Sequence, residues 1–515
     1  MAIAETGGQR GLPTADVTTA SGAVRGRRSD GVDVFCGIPY AGTTAGVRRF
    51  LPPTEAPRWT GTVDAVDLGP AAPQLIWDTP VTTSEDCLTL NLWTPASDGA
   101  RRPVMVWLHG GGFSGGWATG STTDGTYLAR THDVVVVSVA HRLNIFGHLY
   151  LAELAGDRYR DSGNVGILDI VAALRWIHAN IAAFGGDPDN VTIFGVSGGG
   201  GKVAVLTGMP AARGLFHRAV LQSGPYLRAI DPVDATATTR EVLRRLDIDE
   251  RDVDRLNSVP APELVRVWAD ITGIQGSGWL SDWRSWDILF APVRDGVLPE
   301  HPWDPLPFAH SSPVPLLIGT TADELHPGEP LDEPELFRRM PMLGFEGESA
   351  RDVVEAYRRT RPTADPAEIF SAIASDELCR MRVLAQADRA ARRGAAPVFV
   401  YLFARGISVG GAPPRAFHGV DEPFVFGNVA AGPDELGAGD PDGQQLAWRT
   451  SRTWAAFART GDPGNDAIPP WPAYSLPRRA TMVIDTDWRV ADDPNGEELS
   501  ALAAISATAS KERLR

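Results

Sequence analysis

One short stretch constrains this chain more than any other. Val191-Thr-Ile-Phe194, a run of β-branched and aromatic residues, stops in Gly195-Val-Ser-Gly-Gly199 and gives way at once to a helix-like segment. A strand that turns directly into a helix brings two backbones so close that the positions flanking the tip must lack side chains. The tip residue then projects from the sheet edge. Corners of this kind belong to parallel sheets, whose strands are joined by helical crossovers.

The neighbouring sequence supplies the rest of such a sheet. Val104-Met-Val-Trp-Leu108 and Val134 to Val139 are compact apolar runs that read as strands buried on both faces. Ala219-Val-Leu221, Pro315-Leu-Leu-Ile318 and Val398-Phe-Val-Tyr-Leu402 follow, while Val17 to Gly26 reads as an earlier polar-rimmed strand and turn, and Val32 to Ile38 as another. Between them Gly166 to Ala183 shows helical spacing through Ile167, Ile170, Ala173, Leu174, Ile177 and Ile181, after which Gly185 to Pro188 reads as a loop. The expected fold class is α/β, a central mostly parallel sheet flanked by helices. With no internal repeat and no linker, one domain is expected over 13–500, between short tails at 1–12 and 501–515. Polar-surfaced helical insertions are expected near 229–285 and 325–395, and a surface loop from Gly427 to Gly443.

Composition narrows the function classes. Acidic residues outnumber basic ones by 64 to 48, a formal charge of −16, which repels phosphate backbones; nucleic acid is not an expected partner. The three cysteines, Cys36, Cys87 and Cys379, are too few for a disulfide framework and lack metal-ligand spacing, which favours a reduced, intracellular protein. The most apolar run, Val134 to Ala140, falls far short of the ~20 residues of a membrane span, and the N-terminus does not read as a signal peptide. The expectation is a cytoplasmic monomer or homodimer without metal or cofactor.

Ser197 sits at the tip of the glycine corner. No lysine-Ser/Thr pair follows it, which separates this turn from a phosphate-binding loop. A serine hydroxyl is a weak nucleophile and requires a base, itself oriented by an acid. Of ten histidines, His301, His310, His326 and His418 lie well downstream. His418, followed by glycine before the apolar Pro423-Phe-Val-Phe426, is the best placed. Candidate acids follow the strand Pro315 to Ile318 in Gly319-Thr-Thr-Ala-Asp323-Glu324-Leu325, and spacing alone does not separate Asp323 from Glu324. Upstream, His109-Gly110-Gly111-Gly112-Phe113 follows the strand ending at Leu108. Consecutive glycines there can present bare N–H groups to a developing oxyanion, with the Gly198 N–H as a third donor.

These residues resemble the type-B carboxylesterase family, which includes the cholinesterases, from Val17 to about Pro494. Further matches are Ser84-Glu-Asp-Cys-Leu-Thr-Leu-Asn-Leu92, Gly37-Ile-Pro-Tyr40, Gln222-Ser-Gly224 and Ala455-Ala-Phe-Ala458. The resemblance implies an α/β-hydrolase fold and a serine hydrolase of small-molecule carboxylic esters. It assigns Ser197 as nucleophile, His418 as base, Glu324 as acid, and Gly111, Gly112 and Gly198 as oxyanion donors, with His109 supporting the loop. It also places Trp77, Trp286 and Ile288 at the substrate pocket, with Trp279 and Trp283 at its rim. Four departures stand out. Val196 replaces an acidic or amide residue, so choline esters are not the expected substrates; Gly198 replaces alanine and Leu325 replaces glycine. Cys87 has no upstream partner between Ala71 and Asp86. Two other readings use the same scaffold: an acyltransferase or eliminating enzyme, and a non-catalytic interaction module. Retention of all three triad residues weighs against the module.

Overall fold

The computed structural model describes residues 12–513 except 15, 76–80, 275–288, 305–311, 327–328, 409–410, 412 and 432–439. A twelve-stranded mixed sheet forms its centre. The strands are β1 (Leu12–Pro13), β2 (Arg27–Ser29), β3 (Val32–Pro39), β4 (Thr89–Thr94), β5 (Arg102–Leu108), β6 (Val135–Val139), β7 (Gly186–Val196), β8 (Arg218–Gln222), β9 (Leu316–Thr321), β10 (Val398–Phe403), β11 (Ala480–Ile484) and β12 (Arg489–Asp492). Their spatial order is β1-β2-β3-β4-β6-β5-β7-β8-β9-β10-β11-β12. From β6 to β11 every neighbouring pair is parallel, and the outer strands pair antiparallel.

Burial on both faces explains the near-continuous apolar runs. Along β5, Val104, Val106 and Leu108 enter one hydrophobic core, while Met105 and Trp107 enter the other. The helix α1 (Val165–Asn180) covers the first face with Ile167, Ile170, Leu174 and Ile177. On the opposite face Trp454, Ala455, Phe457 and Ala458 of the helix Pro441–Thr460 meet Phe194, Phe399 and Phe426. The segment Ser162–Phe184 around α1 is long and apolar enough to cross a membrane, yet 61% of its most apolar window is buried inside the protein. Its hydropathy is that of a core helix.

Several boundaries differ from the sequence expectation. β7 begins at Gly186, inside the expected loop, because Gly186 pairs with Arg102 before a register shift leads to Val191 opposite Val104. β4, which pairs with β3 and β6, was legible only as a motif, and β11 and β12 were not anticipated. Residues 441–443, expected in a surface loop, begin the helix Pro441–Thr460, initiated by Asp440, whose carboxylate accepts the Asp442 N–H. The expected tail from 501 belongs to a helix, Gly496–Arg513, and Leu502 is buried. Pro232–Arg245 and Ala261–Thr272 are helical and build a separate apolar cluster around Trp268. Glu333–Arg339, Gly347–Thr360 and Pro366–Ser375 build another around Tyr357. Cys36, Cys87 and Cys379 are all buried and unbridged.

Candidate active site

Five parallel strands deliver their C-terminal ends to one sheet edge. Gly195 of β7 lies in register with Leu108 of β5, Val196 with Gln222 of β8, Gln222 with Gly319 of β9, and Thr321 with Phe403 of β10. The residues just beyond these C-terminal ends therefore meet around one crevice, the usual ligand position in such sheets.

Ser197 occupies the corner between β7 and α2 (Gly198–Gly208), at φ 57° and ψ −125°. A non-glycine residue holds such a conformation only where its surroundings over-determine it. Here the Ser197 N–H donates to the Gln222 carbonyl at 2.8 Å, and its carbonyl accepts from Gly201 at 2.9 Å. Side chains at Gly195 or Gly199 would collide with the Leu108 carbonyl, so both glycines are sterically required. Ser197 is half-buried at this tip.

The two acid candidates have different partners. Asp323 forms an isolated parallel bridge with Phe417; its N–H donates to Ala416 O at 2.9 Å and its carboxylate accepts the Ala416 N–H at 3.0 Å. It fastens two loops together. Glu324, with a fully buried side chain, meets His418 Nδ1 at 2.5 Å through Oε2 and accepts the Thr321 N–H at 2.8 Å through Oε1. Burial alone would raise its pKa, but the neighbouring His418 charge and hydrogen bonds from His418, Ser223 and Thr321 hold it below the usual value. For His418, burial disfavours the cation, and the Glu324 carboxylate outweighs this and raises the pKa above 6.5. Of the other histidines considered, His301 lies against Arg228 at 3.0 Å, and His310 is outside the described residues.

Leu325 is accommodated without a left-handed backbone: it is absent from the positive-φ positions, its N–H donates to Ser375 Oγ at 3.0 Å, and its side chain is buried in the Tyr357 cluster. Behind it a π-turn, Asp376–Arg380, carries a buried ion pair between those two residues. Arg380 also donates to the carbonyls of Thr321 and Ala322, at 3.0 and 2.6 Å, at the base of the acid loop.

After β5 the chain turns through Gly111 (φ 90°) and Gly112 (φ 61°), closed by the Ser114 and Gly115 N–H groups on Gly111 O. Among the described residues nothing accepts from the N–H of Gly111, Gly112 or Gly198. The loop rests on the elbow so closely that a Cβ at Gly198 would overlap the Gly112 backbone. Gln74 braces its far end with two 2.8 Å bonds to Gly116. Val196 is buried among Phe194 and Trp107, leaving the strand end beside Ser197 apolar. Trp77, Trp279, Trp283, Trp286 and Ile288, expected at the pocket, lie outside the described residues.

Some contributors escaped the sequence reading. Gln222, whose carbonyl holds the Ser197 N–H, donates its amide to Asp421 at 3.0 Å, and Tyr401 OH donates to the same carboxylate at 2.9 Å. This network ties the nucleophile's strand to the loop of His418. Buried polar residues so close to a glycine-flanked histidine were the available signal.

Comparison with known proteins identifies the family and the fold. The carboxylesterase family model matches residues 13–502. The para-nitrobenzyl esterase of Bacillus subtilis is 35% identical over 503 residues, covering 94% of this chain and 98% of that protein. The phenmedipham hydrolase of Pseudarthrobacter oxydans is 35% identical over 516 residues, covering 92% and 96%. A Geobacillus stearothermophilus carboxylesterase structure superposes with a TM-score of 0.81 at 38% identity, over 95% of this chain and all of the other.

Proposed function

The chain belongs to the carboxylesterase family and is a carboxylic-ester hydrolase of the α/β-hydrolase fold, and from that premise we propose that it works by a Ser-His-Glu triad through an acyl-enzyme. Ser197 Oγ attacks the ester carbonyl carbon while His418 Nε2 takes the hydroxyl proton. Glu324, bonded to Nδ1, fixes the tautomer and stabilises the imidazolium. The N–H groups of Gly111, Gly112 and Gly198 receive the oxyanion; a donor of this kind contributes roughly 3–4 kcal/mol in the transition state. Collapse expels the alcohol, which leaves with the proton from His418. Water, deprotonated by the same imidazole, then attacks the acyl-serine and releases the carboxylic acid, restoring Ser197.

The observation that carries this reading is the 2.5 Å bond between His418 Nδ1 and Glu324 Oε2, at the sheet edge that also bears Ser197. Para-nitrobenzyl esters, named in the Bacillus subtilis relative, are the first substrates to assay, beside p-nitrophenyl esters of increasing chain length. Ser197→Ala is expected to lower kcat by on the order of 10⁴ or more with an unchanged circular-dichroism spectrum, and a fluorophosphonate adduct should map to Ser197. Wild-type turnover by that variant would refute the mechanism.

A further inference from the structure

The sequence contains two lysines, Lys202 and Lys511, against 46 arginines. Lys202 lies on α2, one turn beyond the elbow, with no exposed surface. Burying an ammonium is costly unless it is paired, and the N-terminal half of a helix offers a cation no help. Among the described residues no carboxylate offsets the burial, which lowers the Lys202 pKa to about 7.

The groups around it cannot neutralise it either. The rings of His109 and His141 stack with centroids 4.8 Å apart and planes within 9°, and burial keeps both well below their usual pKa, hence neutral. His148 is depressed to about 3 by the same cause. The buried Arg142 is already matched by Asp169 at 2.7 Å. Tyr226, which with Phe113 closes the near side of the helix at Gly201, is held protonated by burial.

What Lys202 does reach is a backbone oxygen. Its Nζ donates to the His109 carbonyl at 2.8 Å. That carbonyl belongs to the peptide entering the glycine loop, and it lies over the first turn of α2, 3.0 Å from where a Cβ on Gly199 would be. A single ammonium suits a lone carbonyl in a closed space, whereas a guanidinium would bring five donors to satisfy. This accounts for a lysine here in a chain whose only other lysine is Lys511.

We infer that Lys202 is a positioning residue for acyl transfer: through its hydrogen bond to the His109 carbonyl it latches the glycine loop onto the helix that carries Ser197 and so holds the loop's N–H groups where the oxyanion forms. The inference rests on the proposed role of Gly111, Gly112 and Gly198 as oxyanion donors.

Two lysines make the test direct. With ¹⁵N-labelled lysine, wild-type enzyme gives one Nζ signal from Lys202 and one from Lys511. Adding an aryl trifluoromethyl ketone, which forms a hemiketal oxyanion on Ser197, should shift the Lys202 signal and leave Lys511 unchanged. An unmoved Lys202 signal, with Ser197 shown to be occupied, overturns the inference and needs no folded variant. Lys202→Met should lower kcat about 10- to 100-fold and weaken the ketone equally, with KM within twofold. Lys202→Gln, which keeps a neutral donor, should recover most of that loss. Wild-type kcat in Lys202→Met, or a Gln variant as impaired as the Met variant, also overturns it. If Ser197→Ala kept full activity, the proposed mechanism itself would have failed; an inactive Ser197→Ala beside a wild-type Lys202→Met would remove only the latch.

Discussion

At the scale of single residues, Asp323 and Glu324 are adjacent carboxylates with unlike environments. One accepts a backbone N–H across a loop bridge, and the other is buried against an imidazole. Replacing Glu324 by Gln removes the charge that stabilises His418 as a cation, so kcat should fall by about 10³-fold or more. Asp323→Asn retains an acceptor for the Ala416 N–H and should stay within tenfold of wild type. The pH profile separates them further. His418 must be neutral to act as base, and its pKa is raised by Glu324; kcat/KM should therefore rise with pH through an apparent pKa above 6.5. In Glu324→Gln that limb should move to lower pH, while in Asp323→Asn it should stay. Residue spacing narrowed the acid to this pair, and only the family resemblance singled out Glu324, because both follow the same strand and the bridge to Phe417 that holds Asp323 is a contact distant in sequence. The candidate nucleophile Ser197 was legible because glycines with a steric reason flank it, and the candidate base His418 because a glycine at positive φ follows it. Lys202 was not, since a lysine in a helix is ordinarily solvated; the sign was its isolation in Gly198-Gly-Gly-Gly-Lys-Val-Ala-Val-Leu206.

At the scale of elements, the first turn of α2 seats the glycine loop, and that contact explains Gly198. A methyl at this position would push the Gly112 backbone away, while alanine favours a helix over glycine by about 1 kcal/mol. Gly198→Ala should therefore lower kcat roughly tenfold, as expected for a partly displaced oxyanion donor, and lower Tm as well, because the atoms it displaces are backbone and outweigh the helix gain. Unchanged kcat and Tm would show that the loop does not rest on this residue. Strands buried on both faces were plain from their valine and leucine runs, as in β5 and β6. The edge strand β12 was not, because a short strand against one neighbour carries little apolar signal, and β11 beside it, though buried throughout, is only five residues long. Nor did the sequence announce the π-turn that brings Arg380 under the acid loop, since its five residues continue a helical pattern on both sides.

At the scale of the whole molecule, neutral histidines in the core link stability to pH. His148 is fully enclosed, its Nδ1 3.1 Å from the Gly163 carbonyl, and burial lowers its pKa to about 3. The unfolded chain takes up a proton near pH 6.5 that the folded chain refuses, so this residue removes stability as pH falls below about 6.5. His148→Phe deletes that linkage. Chemical denaturation at pH 7 and pH 5 should show the variant gaining up to about 2 kcal/mol on wild type between the two, over any constant cost from leaving the Gly163 carbonyl unbonded. An unchanged difference would mean that the imidazole protonates in place. The α/β class itself was readable from the alternation of buried strands with α1-like helices. The insertions were readable only as helical, because their packing against Trp268 and Tyr357 depends on contacts distant in sequence.

The three unbridged cysteines turn this architecture into its own reporter. Cys379 lies against Glu324, inside the seat of the acid, and Cys87 lies under the sheet with no exposed surface. Alkylating reagents should leave both untouched in the native state and modify them only when the chain opens. If Cys379 were labelled before Cys87, the acid loop would have come loose while the sheet stayed closed, and catalytic failure would precede melting. Simultaneous labelling would mean that hydrolysis lasts as long as the fold does.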